Sequence, residues 1–149
     1  MMKGKRLKVT GDQMYSLKTV ADSSIRGNNT DIGALAAADK KEMTVLLWNY
    51  HDDDLHDAGK TVKIRIENLP PTFVKLTQYR IDDEHSNAYE VWKKMGSPQK
   101  PTAAQIKELE KAGQLQQFGK QVTLQAKSGL AGATVLLPRQ GVALLKLSW

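Results

Sequence analysis

Thr61-Val62-Lys63-Ile64-Arg65-Ile66-Glu67 is the stretch that decides the fold. Val62, Ile64 and Ile66 alternate with Lys63, Arg65 and Glu67, so an extended chain here has one apolar face and one wet face, as a half-buried antiparallel strand does. Upstream, Met43-Thr44-Val45-Leu46-Leu47-Trp48 is apolar on both faces apart from Thr44. That is the pattern of a central strand in a sandwich. The polar run Asn49 to Gly59 between the two reads as a long hairpin connection. Further strands are expected at Leu7–Thr10, Tyr15–Ala21, Ile32–Ala38, Thr72–Ile81, Gln121–Ala126, Ala133–Leu137 and Val142–Leu147, separated by Gly, Asn, Asp and Pro. The Ala-rich piece Ala34–Ala38 also suits a short helix on propensity. Many short strands at this spacing predict a mainly β chain, an antiparallel β-sandwich spanning residues 1–149 as a single domain.

The pattern changes at Ser86. Ala88, Val91, Trp92 and Met95 recur at the spacing of one helical face, Asn87 stands three residues before Glu90, and Gly96 supplies a stop. Thr102 and Gln105 repeat the capping pattern after Pro101 and lead into Ile106 and Leu109, with Gly113 placed to end that helix. Residues 86–115 therefore read as a two-helix insertion whose apolar stripe, Trp92 above all, must be buried on the sandwich or on another domain.

With 149 residues, 40% hydrophobic and 26% charged, the chain can bury one ordinary core. It has no cysteine, which excludes disulfides, thiolate zinc sites and cysteine nucleophiles. No apolar run approaches a membrane span, and Met1-Met2-Lys3-Gly4-Lys5-Arg6 lacks the apolar stretch of a signal peptide. The compartment stays undetermined, and no membrane partner is expected. Of the formal charge of +6, Lys3, Lys5, Arg6 and Lys8 crowd the first ten residues. No groove-reading or aromatic-basic motif accompanies them, so no nucleic-acid partner is expected either.

Two acidic segments hold the residues most suggestive of chemistry. His51-Asp52-Asp53-Asp54-Leu55-His56-Asp57 has metal-binding residue types, but lacks the alternating acids, the glycine and the final glutamate of a helix-loop-helix calcium loop. A solvated hairpin tip is the plainer reading, with a contact to a neighbouring domain next and a structural calcium or zinc behind both. Asp82-Asp83-Glu84-His85 resembles an acid/base pair only superficially. Glycoside hydrolysis needs two carboxylates about 5–5.5 Å or about 6.5–9.5 Å apart across a cleft, which adjacent residues in a run do not define. Acidic residues entering a helix are the plainer reading. His51, His56 and His85 are the only histidines, and no strained elbow or glycine-rich phosphate loop accompanies them. Trp48, Tyr50, Tyr79 and Trp92 offer flat faces that suit a sugar ring, although core packing accounts for Trp48 and Trp92.

Leu47-Trp48-Asn49-Tyr50-His51-Asp52-Asp53-Asp54 and Tyr79-Arg80-Ile81-Asp82-Asp83-Glu84-His85-Ser86-Asn87-Ala88-Tyr89 together resemble the C-terminal part of family 39 glycoside hydrolases, the β-xylosidase group. Val91 to Gln99, Pro101-Thr102, Gln105, Leu109, Ala112, Gly113 and Leu115 are similar to that family's helical extension. The similarity runs from about Arg6 to the C-terminus. It implies a β-sandwich that follows a (β/α)8 catalytic barrel in a retaining β-xylosidase. Both family carboxylates lie on the barrel, and no position here matches either motif, so no catalytic residue, cofactor or metal is expected in this chain. The implied partner is the barrel. A second copy of the chain and a xylo-oligosaccharide are the other partners this reading admits, the latter through a carbohydrate-binding role. The residues placed to make domain or sugar contacts are Tyr50, His51, Asp52, Asp53, Tyr79, His85, Asn87 and Trp92.

Overall fold

Alternation of inward and outward side chains builds two antiparallel sheets from nine strands in the computed structural model, which describes residues 2–53, 55, 58–70 and 73–149. The elements in chain order are β1 (Lys5–Arg6), α1 (Leu17–Asp22), β2 (Asp31–Ala38), β3 (Glu42–Tyr50), β4 (Lys60–Ile66), β5 (Phe73–Ile81), α2 (Ala88–Lys94), α3 (Ala103–Ala112), β6 (Gln116–Gln117), β7 (Val122–Gln125), β8 (Ala131–Leu137) and β9 (Val142–Ser148). The larger sheet runs β1-β2-β3-β9-β5-β6, with β7 also paired to β5; the smaller is the β4-β8 pair. The fold is mainly β, a sandwich with a small helical insertion.

The core lies between the sheets. Val45 and Leu47 of β3, Leu145 and Leu147 of β9, and Val74 and Leu76 of β5 meet Ile66 of β4 and Val135 and Leu137 of β8 in one buried cluster. On the far side of the β4-β8 pair, Thr61, Lys63 and Arg65 face water, so the alternation that sets the fold does its expected work. The β3 run sits between β2 and β9, the central position its apolar faces require.

Several expectations need correction. Tyr15–Ala21 is not a strand. Ser16 caps α1 by accepting from the Thr19 amide, and no residue of this helix is buried, so local capping decides it. Leu7–Thr10 is not a strand either: the ladder to β2 covers Lys5–Arg6 and ends with the Leu7 amide donating to the Ala36 carbonyl at 2.8 Å, and Leu7 and Val9 pack on the core. Ala34–Ala38 is strand, held in register against Met43 to Leu47. The Asn49–Gly59 segment is no hairpin connection, because β3 and β4 belong to different sheets and the segment crosses between them. Thr72, expected to begin a strand, lies outside the described residues; β5 is described from Phe73.

The insertion forms as its caps dictate. Asn87 accepts from the amides of Tyr89 and Glu90 to start α2, and Thr102 and Gln105 close a reciprocal capping box on α3. Trp92 stacks on Tyr89 with ring centroids 5.6 Å apart and donates its indole N–H to the Pro98 carbonyl at 3.1 Å. Val91, Trp92 and Met95 are each half-buried, and the two helices pack on one another. Among the described residues no helix is long and apolar enough to cross a membrane.

Candidate functional site

The register Trp48–Val142–Ile81 brings the ends of β3 and β5 and the start of β9 to one end of the larger sheet. Both acidic segments leave the sheet there, and the β8–β9 turn, Pro138-Arg139-Gln140-Gly141, stands between them. The turn closes with the Gly141 amide donating to the Pro138 carbonyl at 3.0 Å and with Gln140 at φ 56°, a left-handed conformation uncommon for a residue with a side chain.

From the β3 side the turn is gripped by Asn49, His51 and Asp53. Asn49 is 1% exposed and donates to the carbonyls of Leu137 and Pro138 at 3.3 and 3.1 Å. Its side-chain oxygen accepts from Thr30 at 2.5 Å and lies 3.0 Å from His51 Nε2. Arg139 fans outward: one nitrogen reaches His51 Nδ1 at 2.6 Å and Asp53 at 2.5 Å, and the other donates to the Gly27 carbonyl at 2.6 Å. A guanidinium cannot accept, so Nδ1 accepts and Nε2 carries the proton it donates to Asn49. His51 is 4% exposed, which replaces the solvated tip expected of this segment with a polar clamp. Asp54, His56 and Asp57, the rest of that segment, lie outside the described residues.

The same clamp fixes the N-terminal segment. Asp52 accepts from the Ile25 amide at 2.6 Å and from the Tyr50 hydroxyl at 2.5 Å, and Asp53 accepts from the Gly27 amide at 2.8 Å. The Tyr50 hydroxyl bond, followed by the Ile25 amide, holds the Asp52 carboxyl below its ordinary value of 3.8. The Gly27 amide does the same for Asp53, with Arg139 adding to it. A carboxylate depressed in the folded state adds stability above its unfolded pKa and loses it as pH falls through the folded one. Stability should therefore fall below about pH 3.8. An Asp53→Asn variant, followed by acid unfolding, should be less stable at pH 7 and lose less between pH 4 and pH 2; equal slopes would refute this assignment.

From the β5 side Arg80 holds the turn's other shoulder. It is 6% exposed, donates to the Leu136 carbonyl at 2.5 Å and lies 3.6 Å from the Phe118 ring centre. Asp82 accepts from the amides of Glu84 and His85, each at 2.9 Å, and contacts His85 Nδ1 at 2.8 Å; His85 meets the Phe118 ring edge-on. Ser86 accepts from the Gln116 amide at 2.8 Å and donates to the Arg80 carbonyl at 2.7 Å, tying the two ends of the insertion together. Asn87 donates to the Asp82 carbonyl while it caps α2.

Of the eight residues singled out in the sequence, Tyr50, His51, Asp52 and Asp53 belong to the first grip, and His85 and Asn87 to the second. Trp92 sits out on the insertion. Tyr79 is half-buried on the outward face of β5, opposite Leu144. Asn49, Arg80 and Arg139 were missed. A turn arginine carries no sign of a bond to residues more than 80 positions away, and a closer signal lay only in the Pro-Arg-Gln-Gly turn sequence. An open groove of about 300 Å³ lies beside the clamp, lined by Trp48, Asn49, Tyr50, His51 and Gln140–Val142. Among the described residues no carboxylate lines it, and Tyr50 is its most exposed aromatic at 39%.

Residues 8–123 match the sequence model of the Glycosyl hydrolases family 39. The chain belongs to this family. Among individual relatives, the alpha-L-iduronidase of Mus musculus is 28% identical over 109 residues, covering 66% of this chain and 17% of that protein. The GH39 enzyme from Xanthomonas axonopodis pv. citri superposes with a TM-score of 0.66 at 16% identity, over 77% of this chain and 25% of its own. A monomeric beta-xylosidase from Caulobacter crescentus CB15 gives 0.64 at 23% identity, over 77% of this chain and 26% of its own. At these identities the structures establish a shared fold. This family 39 chain thus spans about a quarter or less of the relatives it matches.

Proposed function

We propose that this family 39 chain is a non-catalytic accessory β-sandwich domain of a xyloside-degrading glycoside hydrolase, one that packs on a (β/α)8 catalytic barrel. The observation that carries the reading is the use of its carboxylates. Asp52, Asp53 and Asp82 each accept backbone amides of their own domain, and among the described residues the groove beside the clamp has no carboxylate in its lining. A retaining glycosidase needs two carboxylates facing each other across a sugar, and a barrel that would carry them takes roughly 250 residues. The two acidic segments act as the staples of one sandwich end.

The groove at Trp48 and Tyr50 favours a second reading, a module that binds xylo-oligosaccharide with Tyr50 as a stacking face. Titration of xylo-oligosaccharides against the labelled chain, read from amide shifts, separates the two. The accessory reading expects no saturable shift at Trp48, Tyr50 or Gln140. Saturable shifts confined to those residues would replace it with the binding module.

A further inference from the structure

The N-terminal segment anchored by the clamp builds a second pocket, of about 240 Å³, from two short walls. One wall is Asp12 to Tyr15 and the other is Asn28 to Thr30. Both are fixed through their backbone. The Tyr15 amide donates to Asp31 at 2.8 Å, and Asp31, 6% exposed, also accepts from the Trp48 indole at 3.1 Å. The Ile32 amide donates to the Gln13 carbonyl at 3.1 Å, which ties the first wall to β2. On the other side the Asn29 amide closes a turn on the Arg26 carbonyl at 3.1 Å, and the Thr30 hydroxyl donates to the buried Asn49 side chain. Arg139 and Asp53 hold Gly27, the residue directly before the Asn28 wall. Met14 folds back over Gly11, where an added Cβ would sit 3.2 Å from its sulfur, so the rim is drawn in as well.

What these bonds leave unused decides the chemistry. Among the described residues, the side chains of Asp12, Gln13, Asn28 and Asn29 and the Tyr15 hydroxyl have no hydrogen-bond partner, although the backbone that carries them is held. Elsewhere the acids are spent on amides, as Asp31, Asp52, Asp53 and Asp82 are. Three side-chain amides offer donors and acceptors together, one carboxylate accepts, and Tyr15, 40% exposed, offers a ring face. That set suits a ligand rich in hydroxyls with one apolar face. The lining holds no cation among the described residues, so it does not suit a phosphate, a sulfate or a carboxylate. One carboxylate among neutral amides also leaves a divalent cation short of charge. At about 240 Å³ the pocket is smaller than the roughly 300–1,000 Å³ of drug-sized sites, which gives it room for one ring rather than a chain.

We propose that this pocket binds one neutral pyranose ring, a terminal or branching sugar of a polysaccharide, with the side-chain amides on its hydroxyls and Tyr15 against its face. The site is separate from the groove at Trp48 and Tyr50, with which it shares no lining residue. It goes beyond the accessory reading and stands whether or not the domain packs on a barrel. The clamp gains a use, since it holds in place the turn that forms one wall. A single ring, at the contact efficiency of small ligands, should bind with a Kd of about 1–10 mM.

The test titrates the methyl β-glycosides of xylose, glucose and galactose, and glucuronate, into the full isotope-labelled chain at pH 7, read from amide shifts. Saturable shifts are expected at residues 12–15 and 28–30 with at least one neutral glycoside. Glucuronate should bind at least about fivefold more weakly, because Asp12 repels its carboxylate. Tyr15→Ala should weaken the neutral sugar at least about fivefold and Gln13→Ala with Asn28→Ala at least about tenfold, whereas Lys63→Ala on the wet face of β4 should leave it within about twofold. Since the replaced side chains make no hydrogen bond within the domain, thermal unfolding should confirm that each variant stays folded; if Tyr15→Ala does not, the Gln13 and Asn28 pair carries the same expectation. No saturable shift with any neutral glycoside, glucuronate binding as tightly as they do, or an unchanged Kd in the Gln13 and Asn28 pair would overturn the site and leave the accessory reading standing. Saturable shifts at Trp48, Tyr50 and Gln140 alone would overturn both.

Discussion

Replacing Arg139 with alanine should cost the domain about 3 kcal/mol, because its guanidinium is the shared partner of three groups from two distant segments. It reaches His51, Asp53 and the Gly27 carbonyl, and its side chain is 8% exposed. The alanine would leave a carboxylate, a ring nitrogen and a carbonyl facing a small void, and the N-terminal segment would lose one of its ties. Since 1 kcal/mol corresponds to roughly 2–4 °C for a domain of this size, the midpoint should fall by roughly 10 °C. Arg139→Lys keeps the charge but not the planar fork, and should recover less than half of that loss. Thermal unfolding of the three proteins side by side decides it. A fall under about 2 °C in Arg139→Ala would mean that the clamp holds nothing together.

Asn49→Asp should be as damaging, though it changes one atom. The Asn49 amide nitrogen points at two carbonyls, Leu137 and Pro138, in a site that is 1% exposed. A carboxylate oxygen there would face those carbonyls with no proton to offer, and its charge would be buried without a cation. The cost should be about 3–5 kcal/mol, in the range of an uncompensated buried charge. It should shrink at low pH, where a protonated carboxyl can donate again. The measurement is urea unfolding at pH 4 and pH 7. A variant equal to wild type at pH 7 would show that the orientation assigned to the Asn49 amide is reversed.

Local rules made much of this fold legible. The alternation in Thr61–Glu67 needs only two faces of different polarity, and the caps at Asn87 and Thr102 lie within four residues of the groups they bind. Where local signals conflict, the reading failed. Tyr15 to Ala21 alternates like a strand, yet Ser16 caps it and Lys18 pairs with Asp22 one helical turn on, and no burial overrules them. The crossing of Asn49–Gly59 between sheets was hidden because β4 pairs with β8, whose residues lie some seventy positions further along.

The candidate site was half legible for the same reason. His51, Asp52 and Asp53 stand out as residue types, but their partners include Ile25, Gly27 and Arg139, which look like ordinary loop residues until the sheet brings its ends together.

The central claim is that this family 39 domain braces a catalytic barrel and does not itself cleave sugar. It is tested most directly by assaying the pure chain against an aryl β-xyloside at high protein concentration. Release of aryl alcohol at the rate of buffer alone is the predicted result. Turnover in proportion to protein concentration, abolished by replacing a single carboxylate such as Asp52 or Asp82 with asparagine, would contradict it.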